Sequence, residues 1–404
     1  MSAAATGLGL RRKTAIVGIG QAGLAKAAEG EPWDLALAAV NAALADAGID
    51  RSEVDGLIRY ISPFETVTQP MMTAALGLEE VRWLSDLPMG GEASAASISQ
   101  AAAAIVSGQA NVVVVYRSIK QSGGVRYGRA FGAGSGTDEH GNTPISDEGN
   151  RAYVWPYGVI APAQIFALWA TRYMHEAGID FRQFSDAMAT IALTQRAYSH
   201  NNPHAIMGPR PMTREDYDNA RMISWPLRLF DMCLENDGAC AVVLVSAERA
   251  KTLERQPAYV LSATQSLTPY GEPMGQLYAA DYMRIAHPDA PRRLYEGAGI
   301  GPEDVDVAAF YDASSFFTLR TLEVYGFAEQ RKGWEYVTEH GIDLDSPLPV
   351  NTHGGHLSEG YVHGMTGILE AVRQLRGEAY NQVKDVRHSM YATITGHAVL
   401  FGGE

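Results

Sequence analysis

Short apolar runs alternate with longer amphipathic stretches from Lys13 to the end of the chain. "KTAIVGIG" from Lys13, "GLIRY" ending at Tyr60, "NVVVVY" ending at Tyr116, "GACAVVLVS" ending at Ser246 and "PAYVLSATQ" from Pro257 are the right length for buried strands. Between them, "SAASISQAAAAIVSG" and "GILEAVRQLRG" carry helical spacing and stop at glycine. Strands alternating with helices predict an α/β fold with mainly parallel strands. Several helices are expected from about Ala163 to Tyr198, after a Gly- and Ser-rich loop, Ser118 to Trp155.

The pattern also repeats. "LADAGIDRSEVDGLIRY" superposes without gaps on "YEGAGIGPEDVDVAAFY", pairing Ala47-Gly48-Ile49 with Ala298-Gly299-Ile300, Val54-Asp55 with Val305-Asp306, and Tyr60 with Tyr311. Each copy reads as a helix end, a glycine stop, a short loop and a buried strand. A second pair follows in the same order. Matching Ser107-Gly108-Gln109-Ala110 to Arg376-Gly377-Glu378-Ala379 sets Glu92 opposite Tyr361, both at a helix entrance. The chain is therefore expected as two copies, 13–250 with a loop-and-helix insertion at about 118–200, and 256–404. The period is too long for a solenoid.

Composition narrows the class. With 46% hydrophobic and 19% charged residues over 404 positions, the chain can build a sizeable core and shows no disordered character. A net charge of -14 argues against nucleic acid or an anionic membrane as a general partner. Cys233 and Cys240 give no disulfide framework and suit a reducing compartment. "MSAAATGLGLRRK" has no apolar run ahead of a cleavage site, so a ragged tail is expected rather than a signal peptide, and no stretch has membrane-spanning length. A cytoplasmic protein is the expectation.

"NTHGGHLSEGYVHGMTG", Asn351–Gly367, concentrates glycines, histidines and a tyrosine ahead of a helix. His353 and His356 have a workable metal spacing, but only Glu359 lies near them, so no metal is expected. Gly18-x-Gly20-x-x-Gly23 resembles a dinucleotide fingerprint; Gly30 and Pro32 break the helix that fingerprint needs. Arg117, Lys120, Arg126 and Arg129 form the clearest basic cluster, open to the phosphates of a ligand, to solvent or to a subunit contact.

The layout, with "NDGACAVVLVS" (Asn236–Ser246), "FYDASSF" (Phe310–Phe316) and the Asn351–Gly367 loop, resembles the thiolase superfamily, and within it the sterol-carrier-protein-like lipid-transfer-protein branch. The resemblance implies duplicated βαβ halves in a five-layer αβαβα arrangement. Thiolases need two cysteines and a histidine where this chain has Glu92, the stretch Ile394-Thr395-Gly396, and Tyr361. No thiolate is present for acyl transfer.

Tyrosines at 311 and 361 look like the thiolase-fold retro-aldolases of steroid side-chain breakdown. These cleave a β-hydroxyacyl-CoA to a ketone and a shorter acyl-CoA such as propionyl-CoA, with an OB-fold, zinc-ribbon partner of the DUF35 type. The resemblance thus implies a C–C lyase with Tyr311 and Tyr361 catalytic, a homodimer core and no cofactor beyond the CoA of the substrate. Retro-aldol cleavage needs a base and a site for negative charge, but no covalent intermediate. At a helix N-terminus Tyr361 would be favoured as phenolate; which tyrosine is the base stays open. Gly354, Gly355 and Gly360 would let backbone approach a thioester. His356 and His363 are hydrogen-bonding or proton-relay candidates; His397, beside Gly396, is a relay candidate or a surface loop residue. Glu92 either caps its helix or orients substrate, water or a tyrosine, and Asp312 holds its loop or supports the site. Two other functions share these features: a catalytically silent acyl-CoA- or lipid-binding scaffold, and a non-cysteine CoA acyltransferase.

Overall fold

The structure, a computed structural model, describes residues 9–60, 67–87, 90–123, 157–159, 161–268 and 286–403. In chain order the strands are β1 (Thr14–Ala25), β2 (Gly56–Tyr60), β3 (Trp83–Leu87), β4 (Val112–Ile119), β5 (Met222–Ser224), β6 (Leu227–Arg228), β7 (Asp237–Ser246), β8 (Ala258–Thr264), β9 (Val307–Phe310), β10 (His388–Ala392) and β11 (Ala398–Gly402). β5 and β6 pair with each other; the rest form one sheet ordered β3-β2-β4-β7-β1-β8-β11-β10-β9. Among the described residues the two halves of that sheet join through a short β1–β8 ladder, Ala15 with Tyr259 and Ile16 with Ala258, extended by the Arg12 N–H donating to Val260 O at 2.9 Å.

Helices complete the layers. α1 (Pro32–Ala47) lies on β1, β7 and β4, with α2 (Gln69–Leu76) beside it. Its Leu35, Ala36, Ala39, Val40, Ala43, Leu44 and Ala47 are buried at helical spacing. Burying the larger of these stabilises the fold by about 1.5–3 kcal/mol each. The helix Asp289–Ala298 covers β8 and β11. α3 (Ala93–Val106) and the helix Met365–Arg376 each touch strands of both half-sheets, so they form the middle layer. The result is the expected helix–sheet–helix–sheet–helix stack.

One expectation is corrected. Parallel pairing is limited to β2 with β3, β2 with β4, and β9 with β10; β1–β7, β4–β7, β1–β8, β8–β11 and β10–β11 are antiparallel. Hairpin-like returns such as β10–β11 and the long excursion before β7 reverse the chain where a crossover helix would have kept it parallel. β1 also runs on to Ala25, straight through the glycines of the apparent fingerprint. A methyl at Gly18 or Gly20 would collide with the backbone of α1, so those glycines serve helix-on-sheet packing.

The internal repeat is present in three dimensions. α1 ends at Gly48 (φ 64°) and the helix Asp289–Ala298 at Gly299 (φ 69°), both left-handed, as a glycine stop requires. Asp55 accepts from the backbone N–H groups of Asn111 and Val112 at 2.8 and 2.9 Å, fixing the start of β4. Asp306 does the same for Arg387 and His388 ahead of β10, at 2.8 Å each.

Candidate active site

Tyr311 follows the last residue of β9, and its backbone N–H still donates to Ala392 at 2.9 Å, so the strand end fixes its direction. Tyr361 lies between the turn Gly355–Ser358 and the helix Met365–Arg376. Asn236, fully buried at the start of β7, clamps its backbone: Oδ1 accepts from Tyr361 N–H at 2.7 Å and Nδ2 donates to Tyr361 O at 3.3 Å. The two phenol oxygens then meet at 2.8 Å, both in buried side chains. This is the centre of the site.

Each predicted residue can now be placed. Asp312 accepts from the backbone N–H of His356 at 3.0 and 3.1 Å, and its Oδ1 lies 2.9 Å from His356 Nδ1. The His356 ring lies edge-on to both tyrosines, at centroid distances of 5.3 Å. The His363 ring stands perpendicular to Tyr361 at 4.8 Å. Glu92 has no side-chain capping bond at α3, so the capping account fails. Its carboxylate instead accepts from Thr395 Oγ1, in the turn between β10 and β11. Glu92 and Thr395 are therefore in contact across the two copies. Both are partly exposed while the tyrosines are buried. Burial raises the Glu92 carboxyl pKa against the Thr395 and Thr393 hydrogen bonds.

The turn Gly90–Glu92 that leads into α3 touches the pair directly. A methyl group at Gly91 would overlap Cζ and the hydroxyl oxygen of Tyr311. Burial, the neighbouring Tyr361 and the Glu92 charge push the Tyr311 phenol well above its usual pKa, so its resting form is neutral. Ser94, whose hydroxyl donates to Gly91 O at 2.7 Å and meets Tyr391 Oη at 2.7 Å, holds this turn against β10.

Four expectations change. Tyr361 does not open a helix: it precedes the left-handed cap Gly364 (φ 89°) by three residues, because His363 (φ 47°) and Gly364 delay the helix to Met365. Gly354, Gly355 and Gly360 do not face open space. A methyl would strike Ser199 and the Glu359 backbone at Gly354, Gln195 and Asp312 at Gly355, and Leu24 at Gly360. Gly396 (φ 95°) likewise packs on Ser266, Ala286 and Ala290. Arg117 is not part of an exposed basic cluster. It is 1% exposed within β4, and its Nε and Nη2 donate to His363 Nδ1 at 3.0 and 2.7 Å. Lys120 donates to the backbone oxygens of Ala28 and Gly30; Arg126 and Arg129 lie outside the described residues. His397 is buried rather than on a surface loop, and desolvation lowers its imidazole pKa to about 4.

Residues missed in the sequence brace the loop from behind. Asn202, after the helix Phe181–Asn201, donates to His353 O at 2.9 Å and to Glu359 Oε1 at 3.0 Å. Glu359 is fully buried, and desolvation outweighs Arg373 and Asn202 to raise its carboxyl pKa to about 8. His353 is turned to this cluster, its Nε2 3.8 Å from Glu359 Oε2. Among the described residues no group of three His, Cys, Asp or Glu side chains converges as a metal site would require.

A five-layer duplicated fold with a phenol pair between its two copies is that of a thiolase-superfamily protein without the thiolase cysteines. Residues 276–399 match the thiolase C-terminal domain-like family. The chain belongs, more narrowly, to the steroid side-chain-cleaving aldolases. It is 36% identical over 388 residues to a 17-hydroxy-3-oxo-4-pregnene-20-carboxyl-CoA lyase of Mycobacterium tuberculosis, covering 96% of this chain and 97% of that one. It is also 36% identical over 390 residues to a steroid side-chain-cleaving aldolase of Thermomonospora curvata, covering 95% of each. The solved Ltp2–ChsH2(DUF35) aldolase superposes with a TM-score of 0.87 at 34% identity, over 98% of both chains.

Proposed function

We infer that this protein performs the retro-aldol cleavage of a β-hydroxyacyl-CoA thioester, a steroid whose side-chain-bearing carbon also carries the hydroxyl, to a steroid ketone and a shorter acyl-CoA such as propionyl-CoA. The 2.8 Å contact between the buried Tyr311 and Tyr361 hydroxyls carries the reading. With the pair holding one shared proton, its phenolate oxygen takes the proton of the β-hydroxyl and the other phenol stays a donor. The freed O–H electron pair becomes the ketone C=O, and the Cα–Cβ pair moves into the thioester as an enolate. A proton delivered to Cα then gives the shorter thioester. A shared phenol proton suits this exchange, since the pair gains and returns one proton without a covalent step. The neutral resting Tyr311 serves as hydrogen donor to the developing oxyanion. Neither free cysteine suits a nucleophile: burial raises both thiols far above their usual pKa, and Cys240 lies within β7.

On this reading CoA enters only as part of the substrate, and no redox cofactor or metal takes part. The protein works as a homodimer core, for which the terminal strand β3 offers a sheet edge with Leu84 54% exposed, joined by a DUF35-type partner. The partner is supported by the Ltp2–ChsH2(DUF35) likeness. None of the described helices is long and apolar enough to cross a membrane, and with both cysteines free a cytoplasmic setting fits.

The test is to mix the full chain and a DUF35-type partner with 17-hydroxy-3-oxo-4-pregnene-20-carboxyl-CoA and separate products by liquid chromatography and mass spectrometry. Equal amounts of 17-ketone and propionyl-CoA are expected. Substrate bound but unchanged would establish a silent acyl-CoA or lipid binder, and acyl transfer to a second thioester without free ketone would establish an acyltransferase.

A further inference from the structure

His363 has a backbone that argues for its side chain. Its φ of 47° lies in the left-handed region, which glycine enters at lower cost, and the chain uses glycine there at Gly354, Gly355 and Gly364. Here the chain places an imidazole ring instead. That ring is buried, perpendicular to Tyr361 at 4.8 Å, with Tyr60 Oη donating to its backbone oxygen at 2.9 Å.

Arg117 fixes the state of that ring. Guanidinium nitrogens only donate, and two of them, Nε at 3.0 Å and Nη2 at 2.7 Å, converge on His363 Nδ1. Nδ1 must therefore carry its lone pair. The imidazole cannot hold a second proton without turning one toward the guanidinium, so the neutral form bears its single N–H on Nε2. We propose that Arg117 is a positioning residue that locks His363 as the neutral Nε2–H tautomer, making it a constant hydrogen-bond donor beside the catalytic Tyr361.

A neutral donor suits a retro-aldol site. An imidazolium there would add a full charge next to Tyr361 and could release its proton to the enolate; neutral imidazole stabilises the developing oxyanion and keeps its proton. The groups around it agree. From β4 comes the Arg117 charge, from β2 the neutral Tyr60, from its own loop Tyr361, and from the turn Gly355–Ser358 the His356 ring. Burial and the Arg117 charge both lower the His363 pKa far below its usual value.

This inference rests on the retro-aldolase reading for its catalytic meaning, but its primary test does not. The full chain labelled with 15N-histidine, one of whose 11 histidine signals is assigned by loss in His363→Gln, reports the tautomer directly by NMR. His363 is expected to show an unprotonated Nδ1 and a protonated Nε2, unchanged between about pH 5 and 8. A protonated Nδ1, or a ring that titrates in that window, overturns the proposal whether or not the protein cleaves steroid thioesters. Arg117→Gln should let the ring titrate, lower kcat roughly tenfold or more with a smaller change in KM, and add an acid limb to the pH profile. Arg117→Lys, which keeps one donor, should recover part of kcat and suppress that limb. An Arg117→Gln variant that folds with tautomer and pH profile unchanged would also refute the lock.

Discussion

Gly91→Ala tests the site geometry without removing a functional group. The added methyl would overlap the Tyr311 ring at Cζ and its hydroxyl, far inside the 3.4 Å at which ordinary van der Waals contact begins. Tyr311 is held at its other end by the β9–β10 ladder, so the phenol end must swing away, by about 1 Å. The 2.8 Å bond to Tyr361 is then lost or badly bent. A 1 Å misplacement of reacting groups costs about 100-fold in rate, so kcat should fall about 100-fold with both phenols still present. Overpacking should destabilise the protein by about 1–3 kcal/mol, leaving it folded. Steady-state cleavage of the steroid thioester in the presence of the DUF35-type partner measures the first effect and denaturant unfolding the second. A Gly91→Ala enzyme within threefold of the parent rate would show that the phenol pair at this separation is not what catalysis uses.

Three other outcomes follow from the same geometry. Tyr311→Phe and Tyr361→Phe should each lower kcat about 100- to 10,000-fold, and the double variant little further, because the phenols share one proton; additive losses in a double-mutant cycle would show independent roles. Asn236→Ala removes both backbone bonds to Tyr361 and should cost about 1–3 kcal/mol of stability and lower kcat more than KM rises; unchanged kcat would mean the Tyr361 loop needs no clamp. Glu359, with a folded pKa of about 8 against about 4.3 unfolded, binds more protons folded than unfolded between those values. Stability from its burial is thus complete below about pH 4 and lost as pH rises toward 8, by up to a few kcal/mol. Glu359→Gln should flatten that decline in thermal unfolding, and a parallel decline in the variant would contradict the assignment.

Much of this was legible because glycine and tyrosine punctuate the repeat. Gly48 and Gly299 must take left-handed backbone to end their helices, so aligning them carried Tyr60 and Tyr311 to the ends of their strands, while matching Gly108 with Gly377 set Glu92 at the entrance of α3 but Tyr361 a few residues ahead of its helix. Arg117 was not legible. Every residue of β4 is buried, so the strand has no alternation from which an exposed or buried face can be read, and an arginine at its end looks like the start of a basic loop. Asn236 left a faint signal, a polar pair with Asp237 opening an otherwise apolar strand, but its partner Tyr361 lies 125 residues on. Strand direction was hidden for a similar reason: alternation of strand and helix fixes layers, while the return path of β7 depends on the excursion before it.

The two half-sheets meet through a short β1–β8 ladder, yet Glu92 and Gly91 come from one side and Tyr311, Tyr361 and Thr395 from the other. On the proposed reading, chemistry belongs to a seam rather than to either copy, as in an enzyme built from two unlike subunits that happen to be tethered. Opening the tether between Lys251 and Pro257 and supplying the pieces separately would leave each inert, with turnover returning only as fast as they find one another.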